Sequence, residues 1–125
     1  MAQLENIEEH LKTRKQYEDL YKCLIPKLGF DANFQIDLED RNRVTWLVSA
    51  ILNSESEKDR LNESLSARNI ETRPFFVPLS NMPIYESFSS KPLKRSLEIG
   101  ARGIFLPTFN DKTNLEFIKY KGSSK

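Results

Sequence analysis

Val44-Thr45-Trp46-Leu47-Val48-Ser49-Ala50-Ile51-Leu52 is the stretch on which the fold reading turns. Its even positions, Val44, Trp46, Val48, Ala50 and Leu52, are all apolar, while the odd ones mix Leu47 and Ile51 with Thr45 and Ser49. Successive side chains of a strand point to opposite faces, so the run reads as a β-strand with one core face and a second face that is largely covered. The period changes directly afterwards. Ser54, with Glu57 three residues on, has the spacing of a capping box and opens a helix from about Glu55 to Arg68 that turns Leu61 and Leu65 inward. Asn69 can take the left-handed backbone that closes it. Ile70 to Phe76 reads as a second strand, which makes a strand–helix–strand unit.

Residues 1–28 precede this unit as a long amphipathic helix, from Ala2 to about Ile25, with Leu4, Ile7, Leu11, Tyr17, Leu20, Tyr21 and Leu24 at steps of three and four. Pro26 and Gly29 end it. It starts at Met1 without a preceding cap, which fits a chain continuing upstream. Phe30 to Arg43 is a polar connection with a short strand near Phe34-Gln35-Ile36. Lys91 to Ala101 is a third helix, with Pro92 near its first turn, Leu93 and Leu97 inward and Gly103 past its end. Ile104-Phe105-Leu106 is a short strand stopped by Pro107. A last helix runs from about Lys112 to Tyr120, with Leu115 and Ile118 facing in, followed by a polar tail over 121–125. Residues 44–120 form the core region of a single domain spanning 1–125. The fold class is α+β, a small antiparallel or mixed sheet of about three strands flanked by helices.

At 125 residues the chain suits one domain with a modest core. Its 19 basic and 18 acidic side chains nearly cancel, and a net charge of +1 provides no field to attract nucleic acid or an anionic membrane. No apolar run is long enough to span a bilayer and no signal-peptide pattern opens the chain, so a cytoplasmic setting is expected. Cys23 is the only cysteine, which excludes an internal disulfide and multi-thiolate zinc; on its helix it reads as a buried, inert thiol. His10 is the only histidine, and no metal ligand set gathers around it. Asp37, Glu39 and Asp40 are followed by Arg41 and Arg43, a pattern that local charge pairing explains. Lys91, Lys94 and Arg95 lack a glycine-rich phosphate cradle. Nothing in the pattern supports independent catalysis, so no catalytic residue is assigned.

The candidate binding residues lie in Asn69-Ile70-Glu71-Thr72-Arg73-Pro74-Phe75-Phe76-Val77-Pro78-Leu79 and on to Met82-Pro83-Ile84-Tyr85. Pro74, Pro78 and Pro83 exclude a helix interior and stiffen the chain. Arg73 offers a guanidinium suited to phosphate or carboxylate, or else pairs with Glu71. Phe75 and Phe76 point to opposite faces, so one is core; the other, with Tyr85, is placed to stack on a base or sugar, or both phenylalanines pack inward.

With Val44-Thr45-Trp46-Leu47-Val48-Ser49 before it and Arg102-Gly103-Ile104-Phe105-Leu106-Pro107 after it, this segment resembles the C-terminal small domain of the DegT/DnrJ/EryC1/StrS sugar aminotransferases. The resemblance runs from Ala2-Gln3-Leu4-Glu5 to about Tyr120. It implies a pyridoxal-phosphate enzyme that moves an amino group from an amino acid, glutamate being the expected donor, to a keto sugar nucleotide, as in polysaccharide biosynthesis. It also implies a larger domain, not represented in this chain, that carries the cofactor lysine; a dimer with active sites at the subunit interface; and Arg73, Phe75, Phe76, Pro78 and Tyr85 near the sugar-nucleotide cleft. Many relatives have histidine where this chain has Ser80 and glycine where it has Asn69. The rival reading is a free-standing, non-catalytic binding or interaction module that pairs with a separate large-domain polypeptide. The first helix separates the two readings: if the chain is native as written, its exposed apolar stripe lacks a packing partner and is expected to drive self-association.

Overall fold

The computed structural model describes residues 2–88 and 93–109. Four strands, β1 (Ala32–Phe34), β2 (Val48–Leu52), β3 (Arg73–Pro74) and β4 (Gly103–Leu106), make one sheet in the order β1-β2-β4-β3, and every neighbouring pair is antiparallel. Because β2 and β3 both oppose β4, they run parallel to each other with β4 between them. The helices are α1 (Ala2–Glu5), α2 (Ile7–Lys27), α3 (Glu55–Ser66) and α4 (Lys94–Arg102). Two 3-10 helices, Leu79–Asn81 and Pro83–Phe88, follow β3.

The core lies on one face of the sheet. Val48, Ala50 and Leu52 of β2 stand opposite Leu106, Ile104 and the start of β4, and they bury against Tyr17, Tyr21, Leu24 and Ile25 of α2 and Leu61 and Leu65 of α3. The alternation therefore works as expected over Val48–Leu52. It fails upstream, where Val44 and Trp46 are exposed and Thr45 is buried. The reason is competition for polar partners. Thr45 gives its hydroxyl hydrogen to Glu18 on α2 at 2.7 Å, and the Trp46 carbonyl accepts from Arg14 at 3.2 Å and Thr108 at 2.9 Å. These residues are fastened to the helix instead of extending the strand.

Both long helices close in the same way. Phe30 N–H reaches back to the Ile25 carbonyl and Gly29 N–H to Pro26, with Gly29 at φ +82°; Ile70 N–H reaches Leu65 and Asn69 N–H reaches Ser66, with Asn69 at φ 58°. This pair of bonds satisfies carbonyls the helix would leave open and needs one left-handed residue, for which glycine and asparagine are suited. Ser54 caps α3, accepting from Glu57 N–H at 3.1 Å.

Other boundaries shift. The first helix divides at Asn6, and α2 passes through Pro26 before stopping. The strand expected at 34–36 sits at Ala32–Phe34, leaving Ile36 exposed. The strand expected over 70–76 shrinks to Arg73–Pro74, since Pro74 has no N–H to donate and is tolerated on this edge position. Helix α4 starts at Lys94, and Leu93 is exposed where an inward position was expected. Cys23 is also exposed, on the outer side of α2. Lys91, Pro92, the helix expected over 112–120 and the tail over 121–125 fall outside the described residues. No described helix is long and apolar enough to cross a membrane.

Candidate functional site

Alternation along β4 decides what faces away from the core. Ile104 and Leu106 are buried in the core, so Gly103 and Phe105 face the other way, and Arg73, directly opposite Phe105, shares their face. A cleft of about 480 Å³ opens there, lined by Arg73, Glu71 and Asn69 on one side and by Leu47, Phe105 and the segment 106–109 on the other. No ion pair or side-chain hydrogen bond ties Arg73 to another described residue; in particular the pairing with Glu71 considered from sequence does not form. Its guanidinium is left available to an anionic ligand.

The far wall is held rigidly by α2. Tyr21 donates to the Pro107 carbonyl at 3.0 Å, the Phe109 ring lies 5.8 Å from Tyr17, and Thr108 donates to Trp46. Burial pushes the Tyr21 hydroxyl well above its ordinary range, which keeps it a donor. A buried ion cluster anchors the same region. The Glu18 carboxylate accepts from Arg43 at 2.7 and 3.0 Å and from Thr45 at 2.7 Å, and Lys22 lies 2.6 Å away. Burial alone would raise this carboxyl, but the hydrogen bonds from Arg43, Lys22 and Thr45 outweigh it and bring it down to about 2. Arg43 extends to Asp37 at 2.9 Å, and hydrogen bonds from Lys15 and Arg43 hold Asp37 below the usual carboxylate range. Asp37 thus pairs with Arg43 nearby and with Lys15 on α2, and Asp40 pairs with Arg41.

Of the five residues singled out from sequence, only Arg73 lines the cleft. Phe75 stacks on Phe105, with ring centroids 4.4 Å apart. Phe75 also covers Gly103, where an added Cβ would stand 2.3 Å from its ring. Phe76 is largely exposed, 5.1 Å from Phe105 and 6.4 Å from Trp46. Pro78 packs over Gly100 of α4, and Tyr85 sits partly exposed in the second 3-10 helix, away from the cleft lining. Neither phenylalanine enters the buried core cluster. Sequence reading missed Phe105 and Trp46. The register partner of Arg73 marks the first, and the second was assigned to the core face of a strand that begins only after it, at Val48. Lys94 and Arg95 are exposed on α4 and do not line the cleft. Among the described residues no group of three or more His, Cys, Asp or Glu side chains is placed to hold a metal.

The antiparallel sheet with its helices defines an α+β domain, and comparison with known proteins places it. Residues 1–119 match the DegT/DnrJ/EryC1/StrS aminotransferase family, and the chain belongs to that family. It is 32% identical over 121 residues to GDP-perosamine synthase of Escherichia coli O157:H7, covering 94% of this chain and 31% of that enzyme. With GDP-perosamine synthase of Vibrio cholerae it shares 33% over 116 residues, 87% of this chain and 30% of the enzyme. The chain therefore spans about a third of the length of these relatives. The fold is also that of E. coli GDP-4-keto-6-deoxy-D-mannose-3-dehydratase, solved with bound hydrated PLP: TM-score 0.69 at 17% identity, over 97% of this chain and 32% of that one. A GDP-4-keto-6-deoxymannose-3-dehydratase variant holding GDP-perosamine gives 0.68 at 16%, over 96% and 32%.

The family is PLP-dependent. Such enzymes hold the cofactor through a lysine amine. The cleft lining contains no lysine, and Lys15, Lys22 and Lys58 are committed to ion pairs. The lining residues do not fit this cofactor; the cation among them is Arg73.

Proposed function

We infer that this chain is the small-domain portion of a nucleotide-sugar aminotransferase. The parent reaction moves an amino group from an amino acid, glutamate in this proposal, to a keto sugar nucleotide such as a 4-keto-6-deoxy hexose. The cofactor lysine comes from a large domain in the same or a separate polypeptide. The chain alone binds but does not catalyse. Arg73 meets the charged part of the nucleotide sugar and Phe76, in contact with Phe105, adjoins it, whereas Phe75, Pro78 and Tyr85 lie outside the cleft lining. One observation carries this reading: a family match over residues 1–119 that coincides with a cleft whose arginine has no partner among the described residues.

A second reading is a free-standing binding module that has kept the small-domain fold. The apolar stripe of Leu4, Ile7 and Leu11, exposed on the first two helices, suits association with a large domain or a second copy in either case. Intact mass of the native polypeptide separates the two. A mass well above 14.6 kDa, with a cofactor lysine in the added sequence, supports the enzyme portion. A mass of 14.6 kDa supports the module and directs attention to its partner.

A further inference from the structure

Trp46 is the chain's only tryptophan, and it stands 63% exposed beside Phe76, which is 66% exposed. Their planes are inclined by only 26°, with centroids 6.4 Å apart. Single exposed aromatics are common on protein surfaces, but two near-parallel rings at the rim of a cleft are a platform. The platform adjoins the cleft through two residues: Phe105, whose ring touches Phe76, and Leu47, the chain neighbour of Trp46. Across the same face Arg73 presents its guanidinium opposite Phe105. The platform is also held in advance of any ligand. The Trp46 carbonyl is bonded to both Arg14 and Thr108, and the preceding Thr45 is bonded to buried Glu18. Little ordering cost remains to be met on binding.

We propose that Trp46, together with Phe76, stacks the base of a nucleoside diphosphate whose phosphates meet Arg73. This rests on the nucleotide-sugar reading above and adds Trp46 to it as the residue that distinguishes a nucleotide from a bare diphosphate. A flat ring gains dispersion and offset-stacking contact on this pair, while a guanidinium pairs with phosphate oxygens through parallel N–H donors. Charge and stacking are thereby divided between separate side chains.

The test uses the 125-residue chain with GDP and inorganic pyrophosphate as probes, read by calorimetry and by emission of the single tryptophan. The expected result is that GDP binds about tenfold or more tightly than pyrophosphate and quenches Trp46, as base stacking on an aromatic side chain would give. Trp46→Leu and Phe76→Leu then bring GDP down towards pyrophosphate without changing pyrophosphate affinity, and Arg73→Ala weakens both probes. Equal binding of the two probes, or GDP binding untouched by either aromatic substitution, overturns the stacking role while leaving the Arg73 anion site standing. Failure of the intact chain to bind either probe overturns both.

Discussion

Glu18 and Arg43, 25 residues apart, form a buried two-pronged pair: one guanidinium nitrogen of Arg43 lies 2.7 and 3.0 Å from the two carboxylate oxygens. Thr45 and Lys22 complete the shell of that carboxylate, and Lys15 stands 3.6 Å off. The connection between β1 and β2 is thereby fixed to α2, and with it the backbone of Trp46.

This pair makes the fold acid-sensitive. The Glu18 carboxyl is depressed to about 2 in the folded chain, so its contribution is complete above the unfolded value, near 4.5, and is lost as pH falls through the folded one. The side chain is 3% exposed, and the difference corresponds to about 3 kcal/mol. Urea unfolding between pH 6 and pH 2 is expected to show a loss of that order, and Glu18→Gln is expected to be less stable at pH 6 and to lack most of the acid slope. An unchanged slope in the variant contradicts the assignment.

Gly103 is required by Phe75. A Cβ there would meet three ring atoms at 2.3 to 2.5 Å, one of them Cγ, so the whole ring has to turn away. Gly103→Ala is expected to cost about 1–3 kcal/mol, the usual range for overpacking. In a Phe75→Ala background the same change is expected to cost much less. A double-mutant cycle by chemical denaturation measures the difference.

Ser54 at the start of α3 accepts the Glu57 N–H. Ser54→Ala leaves that donor without its partner, and a loss of about 1 kcal/mol is expected from thermal or urea unfolding, with Ser54→Asp close to the parent.

Leu4, Ile7 and Leu11 expose an apolar stripe one helical face wide. Sedimentation of the 125-residue chain is expected to show concentration-dependent association, reduced by Ile7→Glu with Leu11→Glu. A monomer at high concentration would remove this stripe as an interface between copies.

How much of this was legible beforehand varies by element. Local chemistry was readable: the Ser54 cap, the left-handed Asn69, the Gly29 stop and the inward Leu61 and Leu65 all follow from residues within a few positions of one another. Long-range partners were not. Trp46 fits a strand by alternation, yet Arg14, Glu18 and Thr108 draw residues 45–46 out of the ladder, and none of those lies near in sequence. Glu18 carries no local signal on a helix rich in charges, because burial is decided by what packs over a residue. Each of the four strands has a counterpart in the sequence pattern, but β1 and β3 are short edge strands whose bounds depend on pairing with β2 and β4. At the site, the type of Arg73 drew attention to a residue that lines the cleft, while the contacts of Phe75 with Gly103 on β4 and of Pro78 with Gly100 on α4 join segments more than twenty residues apart.

Amino transfer measured with the native assembly that carries this chain is the most direct test of the central claim. With glutamate and a GDP-linked 4-keto-6-deoxy sugar, formation of the amino sugar is expected, and Arg73→Ala is expected to raise KM for the nucleotide sugar by about tenfold or more, the loss of a charge-assisted contact. No amino sugar from that assembly, or an Arg73→Ala variant with unaltered KM, would contradict the account.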